Sequence, residues 1–246
     1  MLALEGLTKH FGGVLAVQGV DLRVNPHEIL GLIGPNGSGK STIVNLVTGQ
    51  VPPTAGRVRL RDSDITGWPP HRILAAGIGR TFQNIRLFGG LTVWQNLWVA
   101  QNLRRGREGL GRWLAVDRAH MRQIEETLEF CALLDRRDEL ARNLPFGDQR
   151  RLELARTMAA DPDVFMLDEP AAGMNVAEME DLAQRILALK RRGKVIILIE
   201  HHMELVMTLA ERIAVLNFGE KIAEGTPAEV QAHPRVQEAY LGRRRR

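Results

Sequence analysis

The stretch Gly34-Pro-Asn-Gly-Ser-Gly-Lys-Ser-Thr42 constrains this chain more than any other, because it fits G-x-x-x-x-G-K-[ST] in the context that pattern requires. An apolar run, Glu28-Ile-Leu-Gly-Leu-Ile33, leads in as a strand, and a helical pattern from Thr42 to Val47 leads out. Glycines let successive backbone N–H groups turn toward one anion, and the helix N-terminus adds its partial positive charge. Gly34, Pro35, Asn36, Gly37, Ser38, Gly39, Lys40, Ser41 and Thr42 therefore read as a cradle for nucleotide phosphates. Lys40 is placed to reach the β- and γ-phosphates, and the Ser41 hydroxyl to ligate Mg²⁺.

The 246 residues suffice for one large or two small domains, and 25% charged with 44% apolar residues is ordinary for a globular protein. Arg243–Arg246 account for the whole net charge of +4, so the high pI is a tail effect and argues against a nucleic-acid-binding face. That tail reads as a solvated end or as a contact for anionic lipid. Cys131 stands alone in an apolar helical stretch, which excludes a disulfide framework and points to a reducing compartment. The N-terminus lacks the pattern of a signal peptide, and no apolar stretch approaches the length of a bilayer span. Any membrane connection is expected to run through another protein.

Residues 2–8 and 14–24 alternate as half-buried strands, followed after the loop by strands at Gly56–Arg61 and Ile78–Gln83, with a turn at Asp62–Asp64 between them. The pattern then turns helical at Leu91–Leu103, Asp117–Leu134 and Gln149–Ala160. Strand and helix alternate in the last third: Val164–Leu167, Val176–Lys190, Val195–Ile199, Met203–Ala210 and Ile213–Leu216. Short, wholly apolar strands joined through helices predict a buried parallel sheet. Asn217–Glu220 reads as a hairpin turn, and Pro227–Leu241 as closing helices.

Val164-Phe-Met-Leu-Asp-Glu-Pro170 is an apolar strand ending in two carboxylates. Behind a phosphate loop, Asp168 suits the anchoring of Mg²⁺ and Glu169 suits a general base that polarises an attacking water. Asn143-Leu-Pro-Phe-Gly-Asp-Gln-Arg-Arg-Leu-Glu-Leu-Ala-Arg156 completes the set. With the loop and the acidic strand, it resembles the signature region of ATP-binding cassette (ABC) proteins, commonly Leu-Ser-Gly-Gly-Gln running into a helix. The resemblance covers essentially the whole chain. It implies an α/β P-loop ABC ATPase with a RecA-like core, an N-terminal antiparallel β region and a helical insert. The chain would be a single domain, 1–246, with the core at about 1–84 and 161–246 and the helical subdomain at about 85–160.

The same resemblance assigns further roles. Phe11 matches the aromatic that stacks on adenine, and Gln83 the glutamine that touches Mg²⁺ and the attacking water. His201 matches the histidine that contacts the γ-phosphate, with His202 a neighbouring competitor, and the Gly147 N–H faces nucleotide held by a partner cassette. ATP and Mg²⁺ are the implied cofactors. The implied partners are a second cassette, identical or homologous, two transmembrane permease subunits and a solute-binding protein, with no nucleic acid. The implied location is peripheral, on the cytoplasmic face of the inner membrane.

Three positions depart from the common pattern: Pro145 replaces Ser, Asp148 replaces Gln, and Asn175 stands where Asp is common. Pro145 offers neither hydroxyl nor N–H, while Asp148 could cap the following helix or repel a triphosphate. Glu169-Pro-Ala-Ala-Gly-Met-Asn175, Leu198–His201, Met203–Met207, Arg80–Phe88, Ile222–Pro227 and Pro234–Gly242 look like the larger ATP-binding subunit of bacterial branched-chain amino acid importers. Rival readings are another ABC transporter (a urea or amide importer, a lipid exporter), a non-transport ABC ATPase and a non-catalytic nucleotide-gated module. Trp94 and Trp98 share one helical face, either as core of the insert or as a groove for a membrane subunit.

Overall fold

The computed structural model describes residues 1–83, 85–104 and 118–241; Asn84, Asp117 and the Arg243–Arg246 tail lie outside them. Strands β1 (Leu2–Phe11), β2 (Val14–Val24) and β3 (Ile29–Ile33) precede helix α1 (Lys40–Val47). Then come β4 (Ala55–Leu60), β5 (Ser63–Asp64), α2 (Pro70–Ala76) and β6 (Ile78–Arg80). The helical stretch holds α3 (Val93–Arg104), α4 (Arg118–Phe130) and α5 (Phe146–Ala159). The last third alternates β7 (Val164–Asp168), α6 (Val176–Arg191), β8 (Val195–Ile199), α7 (Met203–Leu209) and β9 (Arg212–Asn217). It closes with β10 (Glu220–Gly225), α8 (Pro227–Ala232) and α9 (Pro234–Leu241).

Every residue of β3, β7 and β8 is buried, which requires a sheet covered on both faces. These strands lie centrally in the order β10-β9-β3-β8-β7-β6, parallel except for the β9–β10 hairpin. Side chains alternate between two apolar clusters. Phe165, Leu167, Ile196 and Leu198 face the helices, whereas Val164, Met166, Ile197 and Leu30 face α1 and the second sheet. That second sheet, β2-β1-β4-β5, is antiparallel. The helix-side cluster also takes in Val93 and Leu97 of α3, Ile124 and Leu128 of α4 and Leu152 of α5. The helical stretch is thus packed continuously onto the core.

The structure departs from the sequence expectations at several boundaries. Helix α4 stops at Phe130, not Leu134, because Ala132 turns left-handed at φ 52°. Leu133 N then bonds Leu128 O, and Ala132 N bonds Glu129 O, satisfying the last carbonyls of the helix. Helix α5 starts at Phe146 with Pro145 as N-cap, earlier than the Gln149 expected. Helix α2 carries no strong signal, since Pro69-Pro70 looks like a breaker, yet Pro70 stands at the first helical position, which tolerates it. Ser63 and Asp64 pair with β4 as a two-residue strand inside the expected turn. Strand β6 ends at Arg80, short of Gln83. Trp94 and Trp98 stack at 6.4 Å between ring centroids and pack, partly buried, against the helix-side core.

Candidate functional site

The topology brings the C-terminal ends of β3, β8 and β7 side by side, where ligands bind in open α/β sheets. The loop after β3 approaches β9 so closely that a Cβ on Gly34 would lie 2.2 Å from Leu216 O. Gly39 caps α1 at φ 106°, a conformation that L side chains rarely adopt. Gly219, in the β9–β10 turn, donates its N–H to Ser38 O at 3.0 Å and fixes the loop from outside. Lys40 folds back along the loop, its Nζ donating to Gly34 O at 2.7 Å and Pro35 O at 3.0 Å. Burial pulls the Lys40 ammonium below the usual lysine range, and the charges of Glu169 and Asp168 pull it back up. Asn36, Gly37 and Ser41 are exposed and Thr42 half-buried, so the loop presents its rim to solvent.

The acidic strand end forms the opposite wall. Asp168 is buried and its Oδ2 receives Arg80 Nη2 at 2.7 Å, while Arg80 Nη1 donates to Asn45 Oδ1 of α1 at 2.7 Å. Glu169 occupies the left-handed region at φ 49°, uncommon for a residue with a side chain. Its N–H donates to Ile199 O at 2.8 Å, which ties the turn to β8. Gln83 Nε2 donates to Glu169 Oε2 at 2.8 Å, and His201 Nδ1 lies 3.8 Å from Glu169 Oε1. Three residues far apart in sequence therefore meet at one carboxylate. His202 stands at the N-cap position of α7, its ring tilted by 32° against that of His201 with centroids 4.7 Å apart. Of the two, it is His201 that the structure brings to Glu169.

Two site residues carried no role in the sequence reading. Glu200 is fully buried, and its carboxylate accepts from Ala171 N at 2.8 Å, His201 N at 3.1 Å and His202 N at 3.4 Å. It binds the loop after β7 to the loop after β8. The available signal was an acid placed directly after five apolar strand residues. Arg80, a cation ending a short apolar strand, is the other.

Phe11 ends β1, 45% exposed, with Lys9 Nζ 5.1 Å from its ring. The strand that follows touches the phosphate loop, where Ala16 O would lie 2.7 Å from a Cβ on Gly39. Gly147 sits in the first turn of α5, where N–H groups have no acceptor within the helix. Asp148 does not act as the N-cap, nor does it face outward as a bare charge. It is buried against Arg151 Nη2 at 2.6 Å and Arg136 Nε at 3.3 Å, which neutralise it. Asn175 caps α6 in a reciprocal box: its side chain accepts from Glu178 N at 3.0 Å and its N–H donates to Glu178 Oε2 at 2.9 Å.

A phosphate loop, an acidic strand end and a glutamine–glutamate–histidine convergence on a parallel sheet define a P-loop nucleotide-binding cassette. The ABC transporter family profile matches residues 17–172, and the branched-chain amino acid ATP-binding cassette transporter profile matches residues 220–245. The chain is 45% identical, over 98% of its length and 98% of the relative's, to the high-affinity branched-chain amino acid transport ATP-binding protein LivG of Escherichia coli. The ADP conformation of an ATP-binding cassette of an ABC transporter superposes with a TM-score of 0.87 at 32% identity, covering 98% of each chain. A dimeric cassette in a post-hydrolysis state bound to ADP and phosphate gives 0.81 at 25% identity, covering 92% of this chain and 99% of that one. The chain belongs to the ABC transporter family, as one of its ATP-binding subunits.

Proposed function

We propose that this protein is the Mg²⁺-dependent ATPase subunit of an importer for branched-chain or other hydrophobic amino acids. It would work as one of two cassettes on a pair of permease subunits fed by a solute-binding protein. The substrate class rests on the relative's name and the matching C-terminal profile. Pairing rests on the dimeric cassette and on the placement of Gly147. Among the described residues no helix is long and apolar enough to cross a membrane, which suits peripheral attachment at the cytoplasmic face. We read 1–246 as one cassette domain, its helical part at about 85–160, in keeping with the shared apolar cluster.

In this reading the loop 34–42 holds the triphosphate of the substrate ATP, Lys40 exchanges its two carbonyl contacts for phosphate oxygens, and Phe11 carries the adenine. Ser41 hydroxyl, Gln83 amide oxygen and Asp168 carboxylate, whose Oδ2 also receives Arg80, would supply the oxygen donors that Mg²⁺ takes. The amide nitrogen of Gln83 is spent on Glu169, which leaves its oxygen for the cation. Mg²⁺, when bound, neutralises charge on the β- and γ-phosphates. Glu169 takes a proton from the attacking water, Gln83 holds that carboxylate in place, and His201 contacts the γ-phosphate. ATP stabilises the closed pair to the extent that it binds that state better, and its cleavage releases it.

The observation that carries this reading is the meeting of Gln83, Glu169 and His201 beside the Lys40 loop. Lys40→Ala is its test. In the assembled complex it should abolish ATP-dependent uptake and weaken nucleotide binding; uptake at the wild-type rate would refute the reading.

A further inference from the structure

We propose that Arg150 and Glu153 are positioning residues that fix Gln83 on Glu169 according to the stance of α5, the helix whose first turn carries Gly147. The inference deepens the proposed function and rests on it for the roles of Gln83, Glu169 and Gly147.

Beyond β6 the chain leaves the sheet, so the main-chain groups of Phe82 and Gln83 need partners elsewhere. They find them on one face of α5. Arg150 Nη2 donates to Gln83 O at 2.8 Å and Nη1 to Phe82 O at 3.1 Å. Phe82 N donates to Glu153 Oε1 at 3.0 Å, and Thr157 Oγ1 donates to Arg80 O at 3.3 Å. Arg156 Nη1 adds a bond to Arg86 O. Residues 150, 153 and 157 are spaced three and four apart, so one stripe of the helix grips the segment.

Arg150 and Glu153 are also an ion pair, at 3.5 Å with side chains 7% and 2% exposed. A buried pair kept only for stability gains most from its own close contact, since desolvation is costly. Here the shorter contacts go to the neighbouring main chain, and the pair's mutual contact is the longest of the set. The guanidinium fork spans two consecutive carbonyls, which sets both position and orientation of the peptide. With its backbone held, Gln83 reaches Glu169 Oε2 at 2.8 Å.

Gly147 lies one turn before Arg150 on the same helix. A shift of α5 imposed by nucleotide at Gly147 therefore moves the Gln83 amide with it. The two nucleotide sites of a pair become coupled through this chain: the nucleotide α5 covers is the partner's, and the carboxylate Gln83 holds is its own. Arg150 and Glu153 act on this link through the main chain of Phe82 and Gln83.

The test uses the assembled transporter carrying Arg150→Met, Arg150→Lys or Glu153→Gln, with ATP turnover, a fluorescent ATP analogue for binding, and thermal unfolding. Arg150→Met should lower kcat by about 10- to 100-fold, as for a reacting group displaced by about 1 Å. Binding of the analogue should stay within about twofold, and the Hill coefficient for ATP should fall toward about 1. Arg150→Lys keeps a cation and one carbonyl contact and should recover most of the loss; Glu153→Gln keeps the Phe82 acceptor and should lie between. The proposal is overturned by wild-type turnover in Arg150→Met, or by lost turnover at an unchanged Hill coefficient. It is overturned too if loss merely follows the unfolded fraction and Arg150→Lys recovers nothing. Should Arg150→Met misfold, Arg150→Lys and Glu153→Gln decide by the same readouts. Failure of the proposed function appears separately, as uptake that survives Lys40→Ala.

Discussion

Glu169→Gln isolates basicity from architecture at this site. The substitution exchanges one oxygen for nitrogen and keeps the side chain's shape. An amide oxygen can occupy the Oε2 position and still accept from Gln83 Nε2, now at 2.8 Å, while the nitrogen takes the side 3.8 Å from His201. The main-chain bond to Ile199 O is untouched, so the left-handed turn at φ 49° keeps its anchor. What disappears is a negative charge and a proton acceptor. Loss of a general base lowers turnover by about 10² to 10⁴, or roughly 3–5 kcal/mol in the barrier at about 1.4 kcal/mol per decade. Removing a carboxylate that faces a triphosphate relieves repulsion, so ATP affinity should hold or rise. The assay is steady-state turnover of the assembled complex at saturating Mg-ATP beside equilibrium binding of a fluorescent ATP analogue. Turnover within about threefold of wild type would falsify the assignment. Parallel collapse of binding and turnover would instead mean that Glu169 holds the site together.

Two further outcomes follow from groups away from the reacting carboxylate. Asn175→Ala deletes one half of the capping box on α6 and should cost about 1 kcal/mol, seen as a melting temperature lower by roughly 2–4 °C; an unchanged melting temperature contradicts the cap. Burial pushes the Cys131 thiol up to about 12 from an ordinary 9.0, so the native protein should resist iodoacetamide at alkaline pH and react only when unfolded. Between those two values the unfolded chain releases its proton first, so this group lowers folding stability as pH rises through that window.

How far the sequence could be read depended on where each interaction partner lies. The phosphate loop, the acidic strand end and the core strands are local patterns, each complete within about ten residues, and all three appear where their spacing put them. The misplaced boundaries involve residues that carry no local mark of their conformation, or whose partners lie at a distance. Ala132 ends α4 in a left-handed turn with no glycine to announce it. Expectation carried β6 on to Gln83, whereas the structure hands the polar groups of Phe82 and Gln83 to Arg150 and Glu153, nearly seventy residues on. Asp148 looked like a cap or a bare charge, yet Arg151, one turn on in the same helix, pairs with it, and Arg136 joins from outside α5.

Glu169 shows why the chemistry itself was only half legible. A residue with a side chain at φ 49° is strained by on the order of 1–3 kcal/mol, and no sequence pattern marks such strain. It persists because neighbours overdetermine the turn. Ile199 O holds its N–H, Ala172 N bonds its carbonyl at 3.2 Å, and Glu200 ties the next turn, through Ala171 N, to the histidine loop. In this strained turn the carboxylate meets both Gln83 and His201. Glu200, whose carboxylate holds the His201 N–H and lies 4.0 Å from His201 Nδ1, therefore belongs to the construction of the site as much as Glu169 does. Its two oxygens serve three N–H donors from two loops, which ties the turn that follows Asp168 to the loop that carries His201.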